Sequence, residues 1–264
     1  MTQSTSTIEK YEYLLIKFAQ FIDITDPKKS YDSLAEHKLS LSTIKCILSA
    51  VVWKIRKTDS KNPHLKEFVN IISSLRKQSE QKERDHKNTH GIIPKWVNIL
   101  KKRDDELNDG NFKNHLVLSL YTYVPPRRIK DYTLLKIANT LSDATDKEFN
   151  YCIISNHILV FNNYKTKKTY GSQFISIPDT LFKIITMYCE ANNIKNGDLL
   201  LGFKNIFQMN YLLKTLIGCS VDNLRHSYVT HEYEQFNVPS SDFIEKMASH
   251  MGHSVETNLR YRKF

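Results

Sequence analysis

Apolar positions in the first part of the chain recur at three- and four-residue steps, a period that predicts helices. Ile8, Tyr11, Leu15, Phe18 and Ile22 form one stripe, and Ile44, Ile47, Leu48, Val51 and Ile55 form a second. A third helix is expected where Asn62 stands as a cap and Pro63 in the first turn, ahead of Leu65, Phe68, Val69, Ile72 and Leu75. The second helix carries Lys45, Lys54, Arg56 and Lys57 away from its stripe, a face that is either simply solvated or turned toward a polyanion. From Arg76 to His90 the periodicity stops, and Arg76 to Asn88 is polar and mixed in sign, which suits an exposed linker. The pattern therefore divides the chain into a helical domain over 1–80, a linker over 81–92 and a second domain over 93–264.

The second domain opens with a helix after Pro94 (Trp96, Ile99, Leu100) and another from Leu116 to Tyr123. Pro125-Pro126 ends the latter, because Pro126 pushes Pro125 out of the α region and neither proline has an N–H to donate. Arg127 and Arg128 are thereby placed at a corner. Three short runs rich in Ile, Val and Phe follow, Tyr151–Ile154, Ile158–Phe161 and Phe174–Ile177, and predict a small antiparallel sheet. Lys165, Lys167 and Lys168 fall in the turn between the last two runs. From Asp179 the chain returns to helical spacing (Leu181, Ile184, Ile185, Tyr188) and stays mostly helical to the end. The fold class expected is mainly α with a small antiparallel β-sheet.

Charge narrows the partners. Lys and Arg number 38 against 28 Asp and Glu in 264 residues, a net charge of +10 that favours a polyanion. Cys46, Cys152, Cys189 and Cys219 are far apart and form neither a disulfide framework nor a zinc-ligand pattern, so an intracellular, reducing compartment is expected. Neither a secretion signal nor a membrane span is expected, since Met1 to Glu9 is polar and no apolar run is long enough.

The candidate chemistry gathers near the C-terminus. Leu224-Arg225-His226-Ser227 places an arginine inside a helical pattern, Gly252-His253 follows, and Tyr261 stands eight residues after that histidine. Arginine pairs bidentately with phosphate oxygens, histidine adds a hydrogen bond, and a tyrosine hydroxyl can attack phosphorus. The corner Pro125-Pro126-Arg127-Arg128-Ile129-Lys130-Asp131 and the turn Tyr164-Lys165-Thr166-Lys167-Lys168 supply further cations upstream.

In that order, arginine, turn lysine, Leu-Arg-His-Ser, Gly-His and tyrosine, the chain resembles the tyrosine recombinase (phage integrase-type) family over its whole length. The Pro-Pro-Arg-Arg-Ile-Lys-Asp and Met-Gly-His-Ser forms look most like the divergent recombinases of large DNA viruses, virophages and related mobile elements. The resemblance implies a helical core-binding domain, with Ser42-Thr43-Ile44 in the expected place, and a catalytic domain from about Gly91. It implies double-stranded DNA as partner, a homotetramer assembled on DNA, and host cytoplasm or nucleus as the location if viral. The implied chemistry needs no metal or nucleotide cofactor. Arg128 matches the first family arginine, with Arg127 as the alternative; Lys165 matches the turn lysine, with Lys167 and Lys168 as rivals. Arg225, His253 and Tyr261 match the second arginine, the histidine and the nucleophile.

The chain departs from the family pattern twice. Asp222 stands three residues before Arg225, where His or Lys is usual, and is expected to cap the helix starting near Asn223 rather than act as a base. The His253-to-Tyr261 interval is one residue short. With three residues after Tyr261, a tetramer is expected to use surfaces other than a long C-terminal tail, and the free protein is expected to be a monomer. His226, which also fits a common family position, is expected to be structural or else to compensate for Asp222, and His231 and His250 to be ordinary surface or core residues. Two further functions remain open beside recombination: a type IB topoisomerase-like activity, against which the helical N-terminal domain argues, and a DNA-binding relative without catalysis.

Overall fold

The first stripe folds as α1 (Thr5–Lys17) and a separate 3-10 turn over Ala19–Phe21, so Phe18 and Ile22 fall beyond the helix. The computed structural model describes residues 5–85, 93–236 and 239–262. An unforeseen α2 (Pro27–Glu36) follows, started by Asp26, whose side chain accepts from Lys29 N at 2.8 Å, with Pro27 in the first turn. Ser40 caps α3 (Leu41–Thr58), which buries Ile44, Ile47, Leu48, Val51 and Ile55 as its spacing predicts. Asn62 organises the turn ahead of α4 (Leu65–Asp85) by accepting from His64 N, and the helix starts only at Leu65. Those four helices enclose a core around Leu14, Leu34, Ile47, Leu48, Phe68 and Leu75, whereas Val69, assigned to the buried stripe by spacing, is exposed. Lys54, Arg56 and Lys57 face solvent.

The polar run from Arg76 does not end α4, which continues to Asp85; the rest of the expected linker, 86–92, lies outside the described residues. Arg, Lys, Gln and Glu are good helix formers, so loss of an apolar stripe removes the buried face without removing helical propensity. The chain divides into two units, Met1–Thr89 and His90–Phe264.

In the second unit, α5 (Trp96–Asn108) and α6 (Phe112–Thr122) lead to the Pro-Pro corner and the short α7 (Ile129–Thr133). The sheet has four strands in the order β1 (Leu135–Ala138), β2 (Asn150–Ile153), β3 (Ile158–Phe161) and β4 (Gln173–Ser176). It is mixed rather than antiparallel, since β1 runs parallel to β2 (Leu135 opposite Asn150) while β2–β3 and β3–β4 are antiparallel. β1 is only four residues long, and its pairing is made through a crossover that no local turn signal announces. Its outer edge is covered by the 197–200 segment, where Leu200 N donates to Leu135 O. The remaining helices are α8 (Lys167–Tyr170), α9 (Asp179–Ala191), α10 (Ile206–Ile217), α11 (Val221–Glu234), α12 (Ser241–His250) and α13 (Val255–Tyr261). Among the described residues no helix is long and apolar enough to cross a membrane.

Asn150, fully buried, fixes the sheet to what will become the site. Its Nδ2 donates to Asp131 O at 2.7 Å, and its Oδ1 accepts from Asn162 N and Asn163 N at 2.9 and 2.8 Å. One side chain thus joins the arginine corner to the start of the lysine loop, and an unpaired amide there would be costly.

Candidate active site

Consecutive arginines at the corner have opposite fates. Arg127 is fully buried: its Nε donates to Asp131 Oδ2 at 2.9 Å, and Nη1 donates to Gln173 Oε1 and His250 O at 2.8 and 2.7 Å. Its guanidinium lies 4.0 Å from the Phe161 ring centre and 4.8 Å from that of Tyr164. Burial holds the Asp131 carboxyl above its usual range, and the Arg127 charge pulls it back down. Arg128, the N-cap of α7, is half-buried and donates from Nη1 to Gly252 O at 3.0 Å. Arg127 therefore braces the fold, and Arg128 is the corner arginine that reaches the other site residues.

Gly252 ties three segments together. Its φ of +70° lies in the left-handed region, and a Cβ built there would stand 2.6 Å from Arg127 Nη2. Glycine is needed for both reasons. The Gly252 carbonyl accepts from Arg128 and also from Thr166 Oγ1 at 2.9 Å. That second bond anchors the lysine loop beside the arginines.

The three lysines separate in consequence. Lys165, next to Thr166, is exposed, as is Lys168, whereas Lys167 sits in the helical turn α8 and donates to Lys147 O at 3.3 Å. The loop is longer and partly helical, in place of the simple turn that the sequence suggested.

Arg225 comes from α11 and is 1 % exposed. Its Nη1 donates to Tyr261 Oη at 2.6 Å and Nη2 to Met251 O at 3.3 Å, and its carbon centre lies 4.5 Å from the Tyr261 ring centre. Tyr261, the last residue of α13, is 8 % exposed. Ser254 starts that helix by accepting from Thr257 N, and His226 Nδ1 meets the Tyr261 carbonyl at 2.7 Å. The shorter His253-to-Tyr261 interval is accommodated in this one compact helix, which delivers the hydroxyl to Arg225. Burial raises the Tyr261 pKa, Arg225 opposes this, and Asp222 adds to it, so the hydroxyl is protonated at neutral pH.

His253 is 3 % exposed, with its ring centre 5.4 Å from that of Tyr261. Its Nδ1 lies 3.1 Å from Ser254 O. A carbonyl only accepts, so Nδ1 carries a proton. Burial and then the positive charge of Arg225 lower the pKa to about 3, which leaves the ring neutral and Nε2 bare. Three buried nitrogens here, Arg127 Nη2, Arg225 Nε and His253 Nε2, make no hydrogen bond.

Asp222 departs from expectation. The N-cap of α11 is Ser220, whose Oγ accepts from Asn223 N, and Asp222 lies in the first turn with its carboxylate accepting from Tyr261 Oη at 2.9 Å. Sequence reasoning missed this contact together with the bracing role of Arg127 and the anchoring role of Thr166. For Arg127 a signal existed, since Asp131 four residues on suits a helical ion pair. Among the described residues, no group of three or more His, Cys, Asp or Glu is arranged to hold a metal ion.

No protein-family model matches the sequence, and no curated protein does either. Among solved structures the chain is similar to XerA recombinase, at 14 % identity and a TM-score of 0.47, over 99 % of this chain and 89 % of that one.

Proposed function

We propose that this chain is a tyrosine-type site-specific DNA recombinase or integrase that cuts and rejoins strands through a 3′-phosphotyrosine. The observation that carries the reading is the 2.6 Å contact between Arg225 Nη1 and Tyr261 Oη. It joins a hydroxyl nucleophile to a phosphate-binding group, with Arg128 and His253 held on the adjoining Gly252-His253 turn. The motif order along the sequence points the same way.

In this reading the scissile phosphate lies against Arg128 and Arg225, which clamp its non-bridging oxygens and stabilise the charge of the pentavalent transition state. The negative charge of the phosphate draws a proton onto His253 Nε2, which then donates to it. Tyr261 attacks in the active site of its own chain. Lys165 protonates the departing 5′ oxygen. The phosphotyrosine ester conserves the energy of the broken bond, so a 5′-hydroxyl from a second strand can reverse the step without a nucleotide. We place the protein with the mobile-element recombinases that its Pro-Pro-Arg-Arg-Ile-Lys-Asp motif resembles, acting on double-stranded DNA in the host cytoplasm or nucleus as a homotetramer assembled there.

The test is covalent capture on a random-sequence library of nicked duplexes in EDTA, read on a denaturing gel. Wild type forms a shifted adduct and Tyr261→Phe does not. An adduct that survives Tyr261→Phe, or none from wild type, overturns the assignment. Relaxation of a supercoiled plasmid by single molecules, with no paired sites, identifies the topoisomerase-like alternative instead.

A further inference from the structure

We propose that Asp222 is the proton acceptor for Tyr261, a catalytic residue in a position where the family pattern has none of its kind. The inference rests on the phosphotyrosine reading above.

Chemistry fixes the direction of the hydrogen bonds. A tyrosine hydroxyl has one proton, and a guanidinium can only donate. Arg225 Nη1, 2.6 Å from Tyr261 Oη, must therefore be the donor of that pair. The hydroxyl proton is left to point at Asp222 Oδ1, 2.9 Å away. The proton that must leave when Oη attacks phosphorus already lies on the line to a carboxylate.

The carboxylate is available for this. Ser220 performs the capping of α11, so Asp222 is not committed to the helix end. Its position in the first turn places an anion near the helix N-terminus, where it is favoured. Arg225 Nη1 stands 3.7 Å from Asp222 Oδ1 and balances its charge without closing it off, for the Asp222 side chain is 72 % exposed. Water can thus carry the proton away.

Of the other bases near the nucleophile, His226 Nδ1 meets the Tyr261 carbonyl and Asp131 is paired with buried Arg127. His253 keeps its Nδ1 proton on Ser254 O and its Nε2 bare, with no hydrogen bond to Tyr261 Oη, whose proton lies toward Asp222. The cations Arg225 and Arg128 also act on Tyr261.

The step balances. The Oη–H bond breaks and its proton moves to Asp222; the Oη–P bond forms; the P–O5′ bond breaks, and the 5′ oxygen takes a proton from Lys165. Religation runs backwards, with Asp222 returning the proton to Tyr261. The carboxylate loses its charge as the phosphate nears the phenol, which removes the repulsion that an aspartate here would otherwise impose.

The experiment is single-turnover cleavage of a nicked duplex recovered by wild-type covalent capture. Asp222→Asn is expected to slow cleavage about 10²–10³-fold, as for loss of a general base, with gel-shift binding of the same duplex unchanged. Asp222→Ala is expected to recover rate as formate is added, because the exposed position admits a small carboxylate. A substrate with sulfur in place of the bridging 5′ oxygen needs no proton on its leaving group. It is expected to restore Lys165→Ala and leave Asp222→Asn slow. Asp222→Asn cleaving at the wild-type rate or faster, or formate failing to raise the Asp222→Ala rate, overturns the proposal. If wild type captures no duplex, or Tyr261→Phe still does, the phosphotyrosine reading itself has failed.

Discussion

Replacing each corner arginine with alanine should separate fold from function. Arg127→Ala leaves Asp131, 1 % exposed, without its partner. Breaking a buried pair by removing one member costs about 3–5 kcal/mol. The bonds to His250 O and Gln173 Oε1 are lost as well, at about 1 kcal/mol each. Typical domains are stable by only about 5–15 kcal/mol, so the loss is a large share. Together these losses come to about 5–7 kcal/mol, and with a urea slope of about 2 kcal/mol per M the midpoint should fall by about 3 M. Arg128→Ala removes one hydrogen bond from a half-buried side chain and should move the midpoint by less than about 0.5 M, yet abolish covalent capture. The assay can be confined to the second unit, because Trp53 and Trp96, the two tryptophans, lie in different units. In a Trp53→Phe background, fluorescence of Trp96, packed against Tyr228 and His231, reports that unit alone. If Arg127→Ala unfolds with wild type while Arg128→Ala loses stability, the assignment of the two residues is reversed.

Three further outcomes follow from the same geometry. Gly252→Ala must combine a left-handed φ with a Cβ 2.6 Å from Arg127 Nη2; it should lower the same midpoint by at least about 0.5 M and displace Arg128 from the Gly252 carbonyl, so that a fully active variant would contradict the packing described. Thr166→Val keeps the side chain's shape and removes its bond to Gly252 O; single-turnover cleavage should slow about fivefold, equivalent to about 1 kcal/mol, whereas Thr166→Ser should match wild type. The His253 pKa, lowered to about 3 in the folded chain, lies below its unfolded value, so the unfolded state binds more protons between the two. Stability from this group is complete above the unfolded pKa and is lost as pH falls toward the folded one, by about 2 kcal/mol at pH 5. Urea titrations from pH 8 to 5 should show a decline that His253→Gln reduces, and equal slopes in both proteins would remove the histidine as its source.

The helices with a clean apolar period were legible, as the match between the Ile44-to-Ile55 stripe and the buried face of α3 shows. Elements without a stripe were not. α2 is announced only by Asp26-Pro27, and the polar end of α4 is helical through propensity. β1 was hidden because parallel pairing brings together residues distant in sequence and leaves no hairpin signal. At the site, residue types and order named Arg225, His253 and Tyr261, and the structure brings those three together with Arg128. Local sequence could not choose between Arg127 and Arg128, since that choice is made by Asp131, Phe161, Gln173 and His250, three of them far along the chain. The role of Asp222 was likewise set by the distant Tyr261 hydroxyl. In one dimension Asp222 reads as a misplaced anion, and in three its carboxylate accepts the Tyr261 hydroxyl.

The most direct test of the account is to locate the adduct and its polarity. Wild-type protein trapped on nicked duplex is digested with trypsin and nuclease, the modified peptide is sequenced by mass spectrometry, and the released strand is labelled with polynucleotide kinase. The expected product is a nucleotide joined through its 3′-phosphate to Tyr261, with a released strand that accepts label at a free 5′-hydroxyl. A nucleotide on any other residue, or a released strand that carries a 5′-phosphate, would contradict it.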